Sequence, residues 1–279
     1  MAGKRSRTMI AIRTSREIGL LRDANQIVAE VLTALAGMVR PGVTTGELDA
    51  AAEAMMLQRK ARPAFKGYHG YPASTCISVD EVVVHGIPGK RVLEPGQIVS
   101  MDVGVQYRGY YGDAAVTVAC GEIDEDRQRL LDTTDWALSE AVRAAREGNF
   151  VRDIGRAVQR VCEAQGYGVV RDFVGHGIGT EMHEAPQVPN FDVGGAGPRL
   201  KAGMVVAIEP MVNMGGYQVK VLADGWTAVT ADGKPSAHFE HSVVVRESGG
   251  EILSGAAWPV WGRRGPWPGS LPGNNEKTV

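Results

Sequence analysis

The chain has 279 residues, 44% of them hydrophobic and 22% charged, with a formal net charge of -2. That length supports a large buried core in one domain or two, and the near-neutral balance supplies no field that would draw nucleic acid or an anionic membrane. No apolar run reaches membrane-spanning length and no secretory leader pattern opens the chain; Cys76, Cys120 and Cys162 are too scattered for a disulfide framework or a zinc pattern, so a reducing cytoplasm is expected.

The first eleven residues, with the basic cluster Lys4-Arg5-Ser6-Arg7, read as a solvated tail. Thr14-Ser15-Arg16-Glu17 is a capping box. The helix it opens runs through IVAEVLTALAGMV and stops near Pro41-Gly42. A second helical pattern follows Thr44 in GELDAAAEAMMLQRKA, and strands follow around CISVDEVVVHGIP. IVSMDVGVQYRGYYGDAAVTV, Ile98 to Val118, is a hairpin of two apolar strands, each carrying one aspartate, Asp102 and Asp113. Strand parity puts Asp102 on a face with Ile98, Ser100 and Gly104, and Asp113 with Ala115 and Thr117, while the valines point away. A carboxylate among apolar neighbours is costly unless water or a cation meets it.

The second half repeats the plan. LDTTDWALSEAVRAAREG and VRDIGRAVQRVCEAQG are helical, and VVRDFVGHGIG follows. EPGQIVSMD, ending at Asp102, aligns with KAGMVVAIE, ending at Glu209; GDAAVTV, with Asp113, aligns with FEHSVVV, with Glu240; and HGIP at His85 echoes HGIG at His176. Self-similarity of this kind defines a fold before its details do. If the halves, about 12–120 and 121–254, pack around a pseudo-twofold axis, the four acids converge. Four ionised carboxylates can share a buried site only with cations among them. The bland alternative is four acids solvated separately.

An oxygen-rich set with one or two imidazoles suits hard or borderline divalent ions. His176, in the glycine-rich GHGIG and between the two acidic segments, is favoured as the imidazole ligand. Two bridged ions about 3.5–4 Å apart would polarise a carbonyl and lower the pKa of a shared water, which is hydrolytic machinery. A mononuclear iron site of two histidines and one carboxylate would leave acids unexplained. From Gly255 onward the composition changes to Pro, Gly and three of the five tryptophans, Trp258, Trp261 and Trp267, a pattern of an extended tail over 255–279.

GYHGYPASTCISVDEVVVHGIP, the aspartate hairpin, GHGIGTEMHEAPQVPN, VVAIEPMV, DGWTAVTADG and SAHFEHSVVV together resemble the bacterial type I methionine aminopeptidases, in order and spacing, from about Ile12 to Leu253. The resemblance implies an α+β, duplicated pita-bread fold: a curved antiparallel sheet with helices on its outer face. It also implies removal of the initiator methionine from nascent chains with a small second residue, using two divalent ions (Co, Mn, Fe or Zn). Asp113 and Glu240 match the bridging carboxylates, Asp102 the ligand of one ion, and His176 and Glu209 the ligands of the other. Glu209 also matches the residue that takes a proton from the bridging water. His85 and His183 match the substrate-side histidines, and Tyr68, His69, Tyr71, Cys76, Met182 and Trp226 the methionine pocket, where a thioether meets aromatics and sulfur.

On the residues alone, Tyr68 and Tyr71 have packing as an alternative reading, Cys76 and Trp226 read first as packing, and His241 reads as structural. Phe65, Met182 and His238 depart from the family's common cysteine, phenylalanine and glutamine and are expected to reshape the rim. An X-Pro hydrolase shares the fold but ordinarily carries an extra N-terminal domain, whereas here the first helix opens at Thr14. A non-catalytic binding protein of this fold typically lacks the ligands that are all present here. The expected partners are methionine-led nascent chains and the ribosome, with no membrane and no nucleic-acid sequence recognition, and the expected state is a monomer.

Overall fold

The computed structural model of the protein describes residues 10–255. Trp258, Trp261, Trp267 and the basic start lie outside the described residues. Helix α1 (Ser15–Met38) opens on the expected capping box: Glu17 N donates to Thr14 Oγ1 at 3.4 Å and Thr14 N donates to Glu17 Oε2 at 2.9 Å. Helix α2 (Thr45–Gln58) repeats the device with Thr44 and Glu47. Helix α3 (Glu125–Ala144) is capped by Asp124, and at α4 (Val151–Ala164) the Asp153 carboxylate accepts from Phe150 N at 2.8 Å. Each cap satisfies backbone donors that a helix start otherwise leaves unpaired.

The first half supplies β1 (Arg62–Pro63), β2 (Cys76–Val79), β3 (Val82–Val84), β4 (Gln97–Tyr107) and β5 (Tyr110–Cys120). The second supplies β6 (Gly168–Val169), β7 (Gly175–Gly177), β8 (Glu184–Val188), β9 (Val205–Ile208) and β10 (Met211–Asn213). It continues with β11 (Val219–Val221), β12 (Ala228–Thr230), β13 (Ser236–His238), β14 (Glu240–Val245) and β15 (Gly250–Ile252). Strands β4 and β5 turn through Arg108 (φ 50°) and Gly109 (φ 82°), the paired positive φ values of a tight hairpin turn.

The main sheet runs β1-β4-β5-β14-β9-β7-β8, antiparallel throughout, with β2 also on β4 and β15 on β14. The duplication is visible in this order. Hairpin β4–β5 of the first half meets β14–β9 of the second, with β5 against β14 at the centre. Two small sheets, β13-β10-β6 and β11-β12-β3, flank it.

Ile27, Val28, Val31 and Leu35 of α1 share one core cluster with Val99, Met101, Val103 and Val105 of β4 and with Leu130 and Leu138 of α3. Each such side chain contributes roughly 1.5–3 kcal/mol on burial. Gly112 lets α1 come close, since a Cβ there would lie 2.8 Å from the Ala24 carbonyl carbon. With the valine face bound to the helices, alternation turns Asp102 and Asp113 onto the concave side, and a slip of one residue would expose the whole valine set. No described helix is long and apolar enough to cross a membrane.

Candidate metal centre and binding cavity

The registers build the centre row by row. Cys76, Asp102, Ala115 and Glu240 are successive partners across β2, β4, β5 and β14. Directly opposite residues in antiparallel strands share a face, so Asp102 and Glu240 point the same way with only a methyl group between them. The His241–Ile208 pairing carried one step further sets Glu209, just past β9, opposite Glu240. Asp113 lies opposite Gly104 in the neighbouring row. Ala115 is the small residue that leaves space between the acids, and Gly104 admits the Phe65 ring and Met182 over the sheet.

His176 enters from β7, which is squeezed between β8 and β9. A Cβ on Gly175 would fall 2.3 Å from the Ala207 oxygen, and one on Gly177 would fall 2.2 Å from the Ala185 oxygen. Glycine on both sides of His176 is therefore a steric requirement of this strand. The His176 Nδ1–H donates to the Gly177 carbonyl at 2.9 Å, because a carbonyl only accepts. That fixes the tautomer and leaves the Nε2 lone pair facing Asp113 Oδ2 at 3.7 Å and Glu209 Oε1 at 3.6 Å.

One ligand atom each from Asp113, His176 and Glu240 lie within 4.8 Å of one another. Asp102 Oδ1, Asp113 Oδ1, Glu240 Oε1 and His238 Nε2 are buried without a hydrogen-bond partner. Buried polar atoms are otherwise almost always paired, so orphaned oxygens on three acids that share one cavity fit a cation held among them. Burial pushes the Asp102 carboxyl up to about 7. Burial and then neighbouring carboxylates raise Asp113, Glu209 and Glu240 well above the usual range. Burial holds His176 and His238 down at about 3 and His85 at about 4, so these imidazoles are neutral near pH 7.

The acids form the floor of a cavity of about 490 Å³. Its walls include Tyr68, His69, Tyr71, Cys76, His85, His183 and Trp226, all expected from the sequence. Tyr71 and Trp226 meet edge to face at 5.1 Å, and the Tyr71 hydroxyl donates to the Thr75 and Gly86 carbonyls, both at 3.0 Å. Trp226 is presented by a turn in which Asp224 accepts from Trp226 N and Thr227 N. The Tyr68 hydroxyl lies 2.7 Å from His183 Nδ1 at the rim, and the His183 and His176 rings are 4.2 Å apart. His69 (φ 49°) and His85 (φ 59°) both hold left-handed backbone, strain of the order of 1–3 kcal/mol each that recurs where function fixes geometry.

Met182 is placed differently from the expectation: it is not among the wall residues. It is buried behind the wall, where its Cε and the Phe65 ring lie over Gly104, 3.0 and 2.6 Å from where a Cβ would be. Phe65 itself lines the cavity, as do Val84, Phe173, Val174, Met211 and His238. Phe173 meets His85 edge to face at 5.2 Å, a contact with no trace in chain spacing. His241 is buried against Ser254 Oγ at 2.9 Å, as its structural reading requires.

The profile of metallopeptidase family M24 matches residues 19–247. Over 246 residues the chain is 50% identical to the methionine aminopeptidase of Clostridium perfringens (strain 13 / Type A), spanning 88% of this chain and 99% of that protein. The crystal structure of methionine aminopeptidase from Thermotoga maritima superposes with a TM-score of 0.86 at 44% identity, over 88% of this chain and 99% of that one. Prolidase from Pyrococcus furiosus superposes with a TM-score of 0.72 at 25% identity, over 87% of this chain but 65% of that one.

Proposed function

Because the chain belongs to metallopeptidase family M24 and is an aminopeptidase of the methionine-specific kind, we propose that it removes the initiator methionine from nascent chains with two divalent ions as cofactors. The observation that carries this reading is the set of orphaned acid oxygens at the floor of a cavity walled by aromatics and Cys76. Asp102, Asp113, His176, Glu209 and Glu240 would hold the ions. When bound, such ions supply polarisation of the scissile carbonyl, a water of low pKa, and the positive charge that lets four buried carboxylates ionise.

The protein's own groups account for the rest of the reaction. Tyr71, Cys76 and Trp226 take the methionine side chain, with Tyr68 and His69 at the mouth and Phe65, which packs with Met182 over Gly104, limiting its width. Asp102 marks the end at which the free α-amino group is received. Glu209 accepts the proton of the attacking water. As the peptide C–N bond breaks, Glu209 passes that proton to the leaving amine, giving free methionine and a shortened chain. His183 and His85 donate to the carbonyl oxygen as it gains charge, which lowers the barrier only if both are held in place beforehand. The rim hydrogen bond between Tyr68 and His183 supports a small second residue. The proposed setting is the cytoplasm, on methionine-led chains emerging from the ribosome, with the enzyme as a monomer.

The test is hydrolysis of Met-Ala-Ser by chelated protein to which Mn, Fe, Co or Zn is returned singly, beside an X-Pro peptide. Return of activity on Met-Ala-Ser alone is expected, with Glu209→Ala and His183→Ala inactive. Undiminished turnover after chelation, or in either variant, ends the mechanism.

A further inference from the structure

His238 is the one cavity imidazole whose Nε2 is both buried and unpartnered among the described residues. The residue is 2% exposed and has little freedom to move. Its main-chain N–H donates to Thr117 Oγ1 at 2.9 Å, Thr117 Oγ1 donates back to the His238 carbonyl at 2.8 Å, and the Ser100 hydroxyl meets Thr117 Oγ1 at 2.8 Å. Register with Met211 in β10 fixes the other edge of the strand. The strand is therefore held from both sides, and the His238 ring lines the cavity. A polar nitrogen so placed is costly unless it serves a partner.

The acid it faces is Glu209. Its carboxylate lies between two imidazoles, with His176 Nε2 3.6 Å from Oε1 and His238 Nε2 4.0 Å from Oε2. The two nitrogens are not equivalent. His176 spends its N–H on the Gly177 carbonyl, so its Nε2 has a lone pair and no hydrogen to give. Of the pair, only His238 can donate to Glu209. The main chain at Glu209 is already held, since Asn190 Nδ2 donates to its carbonyl at 3.0 Å. What stays free is the terminal carboxylate torsion, which has a broad energy profile. Rotation about it is the movement that would bring His238 Nε2 and Glu209 Oε2 from 4.0 Å to hydrogen-bond length.

Resting on the function proposed above, we infer that His238 is a positioning residue that donates Nε2–H to Glu209 Oε2 and so reserves Oε1 for ion binding and proton transfer. Groups that orient a ligand or a base from behind typically carry 10- to 100-fold in affinity or rate. The common glutamine of the resembled family is a donor of similar reach, so donation rather than the imidazole itself is the property that matters.

The experiment compares His238→Met, which keeps volume without a donor, with His238→Gln, which keeps the donor. With ions returned and Met-Ala-Ser as substrate, His238→Met is expected to lose roughly 10- to 100-fold in kcat with KM changed by less than about threefold, and His238→Gln to stay within about threefold of wild type. Calorimetry with Mn²⁺ supplies a readout independent of turnover. His238→Met should weaken Mn²⁺ about tenfold in the wild-type background and have no further effect in Glu209→Gln, because the effect runs through that carboxylate. Equal loss in the Met and Gln variants, an undiminished Glu209→Gln response, or no loss at all overturns the inference. If wild type fails on Met-Ala-Ser with every ion, the functional reading falls, while the Mn²⁺ cycle still decides the role of His238.

Discussion

Asp113→Asn separates a built ion site from a buried acid that merely survives, because the two cases predict opposite signs. Without ions, the ligand oxygens of Asp113 and Glu240 lie within 4.8 Å of each other, and like unit charges at that separation repel by about 3.5 kcal/mol at an effective dielectric of about 20. Asp102 and Glu209 add to this on the same side. Proton uptake relieves part of it and, after burial itself, this repulsion makes these groups hold protons well above the usual carboxylate range. Asparagine keeps the shape, removes one charge and offers an N–H to a neighbouring carboxylate. The chelated variant should therefore gain about 2–3 kcal/mol at pH 8 and melt roughly 5–10 °C higher than wild type. With excess Mn²⁺ the order reverses. Wild type gains about 2.7 kcal/mol when free ion stands at 100 times its dissociation constant, whereas the variant, short of one ligand, gains little and turns over no Met-Ala-Ser. Scanning calorimetry with chelator and with Mn²⁺ measures both arms. A chelated variant that melts below wild type at pH 8 would refute the reasoning, since an ordinary buried polar loss behaves that way.

The pH dependence of the chelated wild type follows from the same groups. Above about pH 7.5 the buried histidines are neutral folded and unfolded and contribute nothing further. Carboxyls with raised folded pKa values still hold protons that the unfolded chain has released, so each costs about 1.4 kcal/mol per pH unit as pH rises. The share from Asp102 ends near 7, and those of Asp113, Glu209 and Glu240 continue beyond it. Melting temperatures of chelated protein should fall between pH 7.5 and 9 and those of ion-loaded protein much less; parallel curves would count against the centre. Arg13→Met breaks the pair between Arg13 and Glu184, whose side chains are 9% and 16% exposed, and frees the loop carrying Met182 and His183. It should lower the melting temperature by roughly 6–12 °C and reduce kcat, and an unchanged kcat in folded variant would show that the loop needs no such anchor. Phe65→Ala opens the space above Gly104 and should narrow the preference for Met-Ala-Ser over Phe-Ala-Ser about tenfold in kcat/KM, with an unaltered ratio excluding Phe65 from selectivity.

The capping box at Thr14, the hairpin parity and the internal repeat were all legible in the chain, because each depends on neighbours within a few residues or on direct copying of a segment. The repeat mattered most. It paired Asp102 with Glu209 and Asp113 with Glu240 before any register was known, and the sheet order with β5 against β14 is the physical form of that pairing. Phe173 beside His85 and Met182 behind Phe65 left no such mark. Those placements depend on loops brought together from distant parts of the chain, and hydrophobic character alone does not distinguish a cavity wall from the layer behind it.

Residue order thus determined the helices, the strand faces, the duplicated plan and the acids available for cations, since periodicity and capping are local consequences of side-chain chemistry. Tertiary structure alone decided which acid oxygens are left without partners, which nitrogen of His176 faces them, and that His238 looks at Glu209. These are matters of distance and direction between strands, fixed by register and by glycines that admit close backbone approach, and no spacing along the chain encodes them.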